Sequence, residues 1–142
     1  FLPILDMHLF HDMKKPRTKT CYFIGKGENQ FKHPKDAIEL NRGIAGNQEY
    51  LANALNECQT LYCYDPVTAM TEIARLCGTK VRMYNDKYSK QDFAEYEPGM
   101  NGITWGDEDE VPLEYHGFRQ HYSWMKGEFM RKMDDFIKET QA

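Results

Sequence analysis

Short apolar segments alternate with helix-like segments along this chain, and this alternation constrains the fold more than any other feature. Segments with the length and composition of strands are TCYFIG (20–25), AIELN (37–41), TLYCY (60–64) and KVRMY (80–84). A helix is predicted from the N-cap residue Asn47, and a second is TAMTEIARLC (68–77), closed by Gly78. Strands and helices in this order predict βα units, and therefore a three-layer α/β domain with a mostly parallel sheet.

The last third of the chain has a weaker pattern until its tail. DKYSKQDFAEY (86–96) is interpreted as a helix, and PGMNGITWG (98–106) as a loop or an edge strand. Apolar residues in the tail recur at steps of three and four, at Phe118, Tyr122, Met125, Phe129, Met133 and Phe136 or Ile137. This spacing predicts one long helix with an apolar stripe, used for core or interdomain packing.

Bulk composition indicates a single domain. The chain has 142 residues, of which 41% are hydrophobic, and a net charge of −4. An acidic balance without a basic face argues against nucleic acid as a partner. The cysteines lie in apolar segments without a CxxC pair, which predicts buried thiols in a reducing compartment: Cys21, Cys58, Cys63 and Cys77.

Residues 1–19 combine apolar residues with the basic stretch KKPRTK (14–19). We predict that this segment is an interdomain linker with few contacts. The start at Phe1, without the layout of a signal peptide, favours a piece of a longer protein.

Two loops are predicted to form a ligand site, because ligands bind outside the carboxyl ends of parallel strands. GKG (25–27) follows the first strand and offers the cation of Lys26. YDPVT (64–68) follows the third strand and opens a helix, whose free N–H groups suit a phosphate. Thr68 and Glu72 are four residues apart and so share one helix face. A phosphate at Thr68 with hydroxyls at Glu72 describes a bound nucleotide.

Structural roles for the same residues remain open alternatives. Asp65 followed by Pro66 also fits the N-cap and first position of a helix, and a lone Glu72 fits a solvated helical acid. Neither His8 with His11 nor His116 with His121 has an obvious third ligand, so we predict no metal site.

At these residues the chain resembles the C-terminal, donor-binding half of a GT-B glycosyltransferase. EIARLCGTKV (72–81) resembles the E-A-x-A-x-G-x-P-V stretch that begins with the second acid of the acid–x7–acid element of these enzymes. A closer resemblance covers a longer stretch, CYDPVTAMTEIARLCG (63–78). It resembles the motif S-Y-D-x-x-T-A-L-x-x-E-A-A-L-C-G, which is found in bacterial glycosyltransferases of surface-polysaccharide pathways. The resemblance covers roughly residues 20–106.

The resemblance implies a role for each matching residue. Glu72 would hold the ribose hydroxyls of the donor, Val67 and Thr68 would bind its diphosphate, and Lys26 would be a nearby cation. The first acid of the pair is replaced by Tyr64, which leaves the adjacent Asp65 as a substitute in contact with the sugar. No catalytic residue is assigned.

The resemblance also implies a Rossmann-like domain that forms the C-terminal half of a two-domain enzyme, with the N-terminal acceptor domain outside the sequence. The expected activity is transfer of a sugar from a nucleotide-activated donor to a saccharide or lipid-linked acceptor in envelope polysaccharide synthesis. It is expected to need no metal or cofactor and to be lost without the acceptor domain. The expected location is the cytoplasm, with a peripheral position at the inner membrane face as an alternative.

Two other functions remain open. One is a non-catalytic regulatory or interaction domain with a degenerate nucleotide site. The other is a nicotinamide-dependent oxidoreductase, which GKGENQ (25–30) disfavours because it lacks the glycines of GxGxxG.

Overall fold

A computed structural model of the chain describes residues 3–41, 47–96 and 98–141. The strands are β1 (Lys19–Phe23), β2 (Ile38–Glu39), β3 (Cys58–Cys63), β4 (Lys80–Met83) and β5 (Ile103–Trp105). The helices are α1 (Gln48–Asn56), α2 (Met70–Leu76), α3 (Lys90–Ala94) and α4 (Tyr115–Gln141). The strands form one sheet in the order β2-β1-β3-β4-β5, and every neighbouring pair is parallel. The predicted α/β class and parallel sheet are therefore confirmed.

One face of the sheet carries the core. Cys21, Leu61, Val81 and Ile103 lie side by side in register on four strands and are fully buried. Crossovers between parallel strands are right-handed, and the connections containing α1 and α2 run in the same direction along the sheet. Both helices therefore cover this face.

The opposite face is covered differently. Tyr22, Tyr62 and Arg82 lie in register there and are half-buried. The β1–β2 connection, residues 24–37, runs in the opposite direction and contains no helix. Its His33 ring stacks on the ring of Tyr22, with centroids 3.7 Å apart. A loop thus covers this part of the sheet where a three-layer domain would place a helix.

The helix boundaries follow their sequence signals. Asn47 caps α1 by accepting the N–H of Tyr50, and Gly78 ends the α2 segment at φ +84°. The helix interpreted over residues 86–96 is shorter, since a capping box between Ser89 and Asp92 starts α3 at Lys90.

The segment 3–18 packs closely against the domain, so the expectation of few contacts is wrong. Phe10 is 1% exposed and belongs to the core. Arg17 donates to the backbone carbonyls of Leu55 and Cys77, and Arg119 of α4 donates to the carbonyl of Phe10. These charge-assisted hydrogen bonds fasten the segment to the amino-terminal side of the sheet.

The tail forms the single long helix that its periodicity predicts. Phe118 and Tyr122 are buried, whereas Met133, Phe136 and Ile137 are exposed. The stripe therefore packs into the core only through its first part.

All four cysteines are buried thiols, as predicted. Among the described residues, no helix combines the length and apolar character needed to cross a membrane.

Candidate functional site

A cavity of about 610 Å³ opens beside the carboxyl end of β3. Val67, Thr68 and Glu72 form one wall, from α2 and the loop before it. Tyr88 and Tyr96, which flank α3, line the other side. The volume falls in the range of about 300–1,000 Å³ that small-molecule sites occupy.

The structure brings together three of the five residues predicted to bind the donor. Val67, Thr68 and Glu72 line the cavity, and the described lining includes neither Lys26 nor Asp65. The side chain of Lys26 is exposed, on the loop that follows β1.

Glu72 is a buried acid in the cavity wall. It is 8% exposed, which contradicts the alternative of a solvated helical acid. Burial raises the pKa of its carboxyl group, and the attraction of Arg75 and the hydrogen bond from the Thr71 hydroxyl, at 3.1 Å, oppose this rise only in part. Within the described chain Glu72 forms no ion pair. Its carboxylate therefore keeps capacity to accept further hydrogen bonds from a ligand.

Arg75 is a second buried charge beside the same cavity. It is 0% exposed, and burial lowers its pKa to about 10 although Glu72 opposes this change. Its guanidinium donates to the backbone carbonyls of Thr71, Gly99 and Asn101. Arg75 thereby fastens α2 to the segment before β5, which carries part of the far wall of the cavity. Sequence reasoning missed this residue, although an arginine inside the apolar run EIARLC was a visible signal.

The loop before α2 differs from its predicted form. The helix has seven residues and begins at Met70, so Asp65 does not cap it. Instead, the Asp65 carboxylate accepts the N–H of Lys26 at 3.0 Å and the N–H of Val67 at 2.9 Å. The Val67 amide that the resemblance assigned to the diphosphate is thus already used by the protein. The Thr68 hydroxyl accepts the N–H of Met70.

The connection from β1 leads to one side of the sheet and the connection from β3 to the other. The loops that follow β1 and β3 meet at this point of divergence, where parallel sheets usually bind ligands. Gly25 faces the Asp65 side chain, and Gly27 lies directly against the backbone carbonyl of Tyr64. This contact fills the crevice between β1 and β3. The open space lies instead beside α2 and α3.

Tyr64, which replaces the first acid of the resembled motif, is a structural anchor. It is 1% exposed, and its hydroxyl oxygen accepts the N–H groups of Lys32 and His33. The same hydroxyl lies 2.7 Å from His33 Nδ1. Because the oxygen already accepts two bonds, the hydroxyl donates to Nδ1, which requires a neutral His33 ring.

Replacing Tyr64 by Phe should destabilise the fold by about 1–3 kcal/mol, since the amides of Lys32 and His33 lose their acceptor. Urea denaturation measures this change. The matched control is Tyr50→Phe, at a tyrosine that is 51% exposed, and it should change stability little. Equal effects of the two substitutions would contradict the anchoring role of Tyr64.

The contribution of His33 to stability should be lost on acidification through about pH 6.5. Burial lowers the pKa of His33 below its usual 6.5. The unfolded state therefore binds the proton more readily, and stability is lost as pH falls below that value. We expect wild type to lose more stability between pH 7.5 and 5.5 than His33→Asn does, measured by urea denaturation. His116→Gln, at an exposed histidine, should behave as wild type does, and both variants keep Glu72, whose contribution has the opposite sign.

The described residues contain no group of three or more His, Cys, Asp and Glu side chains placed to hold a metal ion. The polar groups of the cavity are a carboxylate, hydroxyls and a guanidinium. Such a set suits hydroxyl and ring-nitrogen groups of an organic ligand.

Comparison of the chain with protein-family models, with curated proteins and with solved structures gave no match.

Proposed function

We propose that this domain binds a nucleotide-activated sugar and presents it for transfer to a saccharide or lipid-linked acceptor. In this proposal it is the donor-binding half of a two-domain GT-B glycosyltransferase of envelope polysaccharide synthesis. An acceptor domain completes the active site, and the 142 residues alone bind donor without turning it over.

The observation that carries the proposal is the position of Glu72. The resemblance implies that this carboxylate holds the ribose hydroxyls of the donor. In the structure it lines a cavity of suitable size, buried, with Thr68 and Val67 beside it. A buried carboxylate that forms no ion pair with the described residues is costly to stability, and such groups are concentrated at functional sites.

Titration with nucleoside diphosphates tests the proposal. UDP, GDP, ADP and CDP are added to the domain in a calorimeter, with Mg²⁺ and again with EDTA. We expect one of them to bind with a dissociation constant below about 1 mM, a binding free energy of about −4.1 kcal/mol or better, and to bind equally well without the metal. Absence of binding by all four would contradict donor recognition, and a requirement for Mg²⁺ would contradict metal independence.

A second candidate is a binding domain without catalytic activity. Two observations favour it: Tyr64 is buried with its hydroxyl occupied, and the oxygens of Asp65 accept two backbone amides. Neither residue is available to replace the missing acid of the motif. If the domain binds nucleotide but transfers no sugar when joined to the acceptor domain that we propose, this second candidate is correct.

A further inference from the structure

We propose that the cavity recognises the nucleoside end of the donor, with the base against Tyr88 and Tyr96 and the phosphates outside. This inference rests on the proposed function. It deepens that function by assigning the part of the ligand that the cavity holds.

Exposed aromatic rings at the rim are the first argument. Tyr88 is 39% exposed and Tyr96 is 65% exposed, and both line the cavity. Large rings that are left exposed at the edge of an apolar cavity mark a binding surface. Every nucleobase has a planar face that stacks on such a ring.

The wall that carries these tyrosines is firmly placed. The capping box of Ser89 and Asp92 fixes the start of α3 between them. Phe93 of α3 also lines the cavity, and its ring centroid lies 5.9 Å from that of Trp105 on β5. The aromatic wall is thus packed against the sheet.

The charges of the cavity disfavour a phosphate inside it. Glu72 contributes a carboxylate, and the buried guanidinium of Arg75 donates from Nε and Nη1 to three backbone carbonyls, while its Nη2 has no hydrogen-bond partner among the described residues and is closed off from solvent. No lysine occurs in the described lining. The Val67 amide donates to Asp65, and α2 has only seven residues. A dianionic group would lose its hydration here, and the described lining offers it only the carboxylate of Glu72 and the enclosed, carbonyl-bound guanidinium of Arg75.

A nucleoside matches both sides of the cavity. Its ribose presents adjacent hydroxyls, which are the donors that the Glu72 carboxylate accepts. Its base presents a flat apolar face to Tyr88 and Tyr96. An isolated sugar phosphate offers only the first of these features, and pyrophosphate offers neither.

Calorimetry with matched fragments tests the inference. The probes are uridine, cytidine, adenosine and guanosine, their diphosphates, ribose 5-phosphate and inorganic pyrophosphate. We expect one nucleoside to bind within about tenfold of its diphosphate, and neither ribose 5-phosphate nor pyrophosphate to compete with it. Tyr96→Ala should weaken nucleoside and diphosphate equally, by about tenfold, since stacking on an aromatic ring contributes that much per base.

Two variants separate stacking from folding. Tyr96→Phe keeps the ring and should retain affinity, and Tyr50→Ala, at another exposed tyrosine, on α1, should leave affinity unchanged. If a diphosphate binds but its nucleoside does not, or if Tyr88→Ala and Tyr96→Ala leave affinity unchanged, the inference is wrong and the proposed function stands. If no diphosphate binds, the proposed function fails and the inference fails with it.

Discussion

Replacing Gly27 by Ala should destabilise the domain by about 3 kcal/mol or more, the largest loss we expect from any single methyl group in this chain. A Cβ atom at this position would lie far inside van der Waals contact with the backbone carbonyl of Tyr64. Neither side can yield easily. The Gly27 N–H closes a turn onto Ile24, and the Tyr64 N–H donates to Phe23 of β1. Chemical denaturation, with the midpoint and slope fitted together, measures the loss.

Gly127 provides the matched control. A Cβ atom there meets nothing within 4 Å, and the residue lies inside α4. Gly127→Ala should therefore stabilise the domain by about 0.5–1 kcal/mol, the usual helix-propensity difference between the two residues. Opposite signs for the two substitutions are expected. A neutral Gly27→Ala would mean that the loops after β1 and β3 do not touch as described.

The order of the elements was predictable because it depends on local signals. The strand segments, the N-cap at Asn47 and the glycine at position 78 each act over a few residues, and all were confirmed. That order favours a parallel sheet, because parallel neighbours need a crossover connection, which is usually a helix, although the β1–β2 crossover contains none. The outer part of α4 shows the limit of such signals, because its spacing predicted a stripe but not which half of it would be buried.

The contacts that fill the crevice between β1 and β3 could not be predicted from the sequence. Asp65 before Pro66 fits a helix cap by local rules, yet its carboxylate binds the amide of Lys26, 39 residues away. No periodicity reveals that Phe10 is buried or that Arg17 is partly buried and donates to backbone carbonyls. Such long-range pairings depend on how the loops meet in space, which a single sequence does not specify.

Part of the candidate site was nevertheless predictable. The four-residue spacing of Thr68 and Glu72 predicts that both side chains face one site, and both line the cavity, although the helix begins at Met70 and Thr68 precedes it. Lys26 is predicted to bind because a cation after the first strand suits a phosphate. The tight contact of its loop with Asp65 places it elsewhere. Tyr88 and Tyr96 were missed because they follow a weak helical pattern with no chemical motif.

Replacing Glu72 by Gln should weaken nucleotide binding by at least about tenfold, or 1.4 kcal/mol. The substitution keeps the size of the side chain but removes its charge and one acceptor oxygen. A sheltered carboxylate that accepts two ribose hydroxyls makes charge-assisted hydrogen bonds, each contributing roughly 1.5–3 kcal/mol. Calorimetric titration of wild type and variant with the best-binding nucleoside diphosphate measures the loss.

The same substitution should not lower folding stability, and near pH 7 it should raise it. Burial raises the folded-state pKa of Glu72 more than Arg75 and Thr71 lower it. A group with a raised pKa stabilises the fold most when it is protonated, and this contribution is lost as pH rises through the folded value. Gln mimics the protonated form at every pH. The variant should therefore gain stability relative to wild type as pH increases from 4.5 to 7.

Glu49→Gln is the control that isolates the site. Glu49 also lies in the first turn of a helix, α1, but is exposed and lines no part of the cavity. It should change neither affinity nor stability appreciably. We expect only Glu72→Gln to weaken nucleotide binding while folding stability stays equal or rises. That result would identify Glu72 as a carboxylate that is retained for a ligand although it lowers the stability of the fold. Unchanged affinity with a lower denaturation midpoint would instead make Glu72 a structural partner of Arg75, and the donor site would have to lie elsewhere.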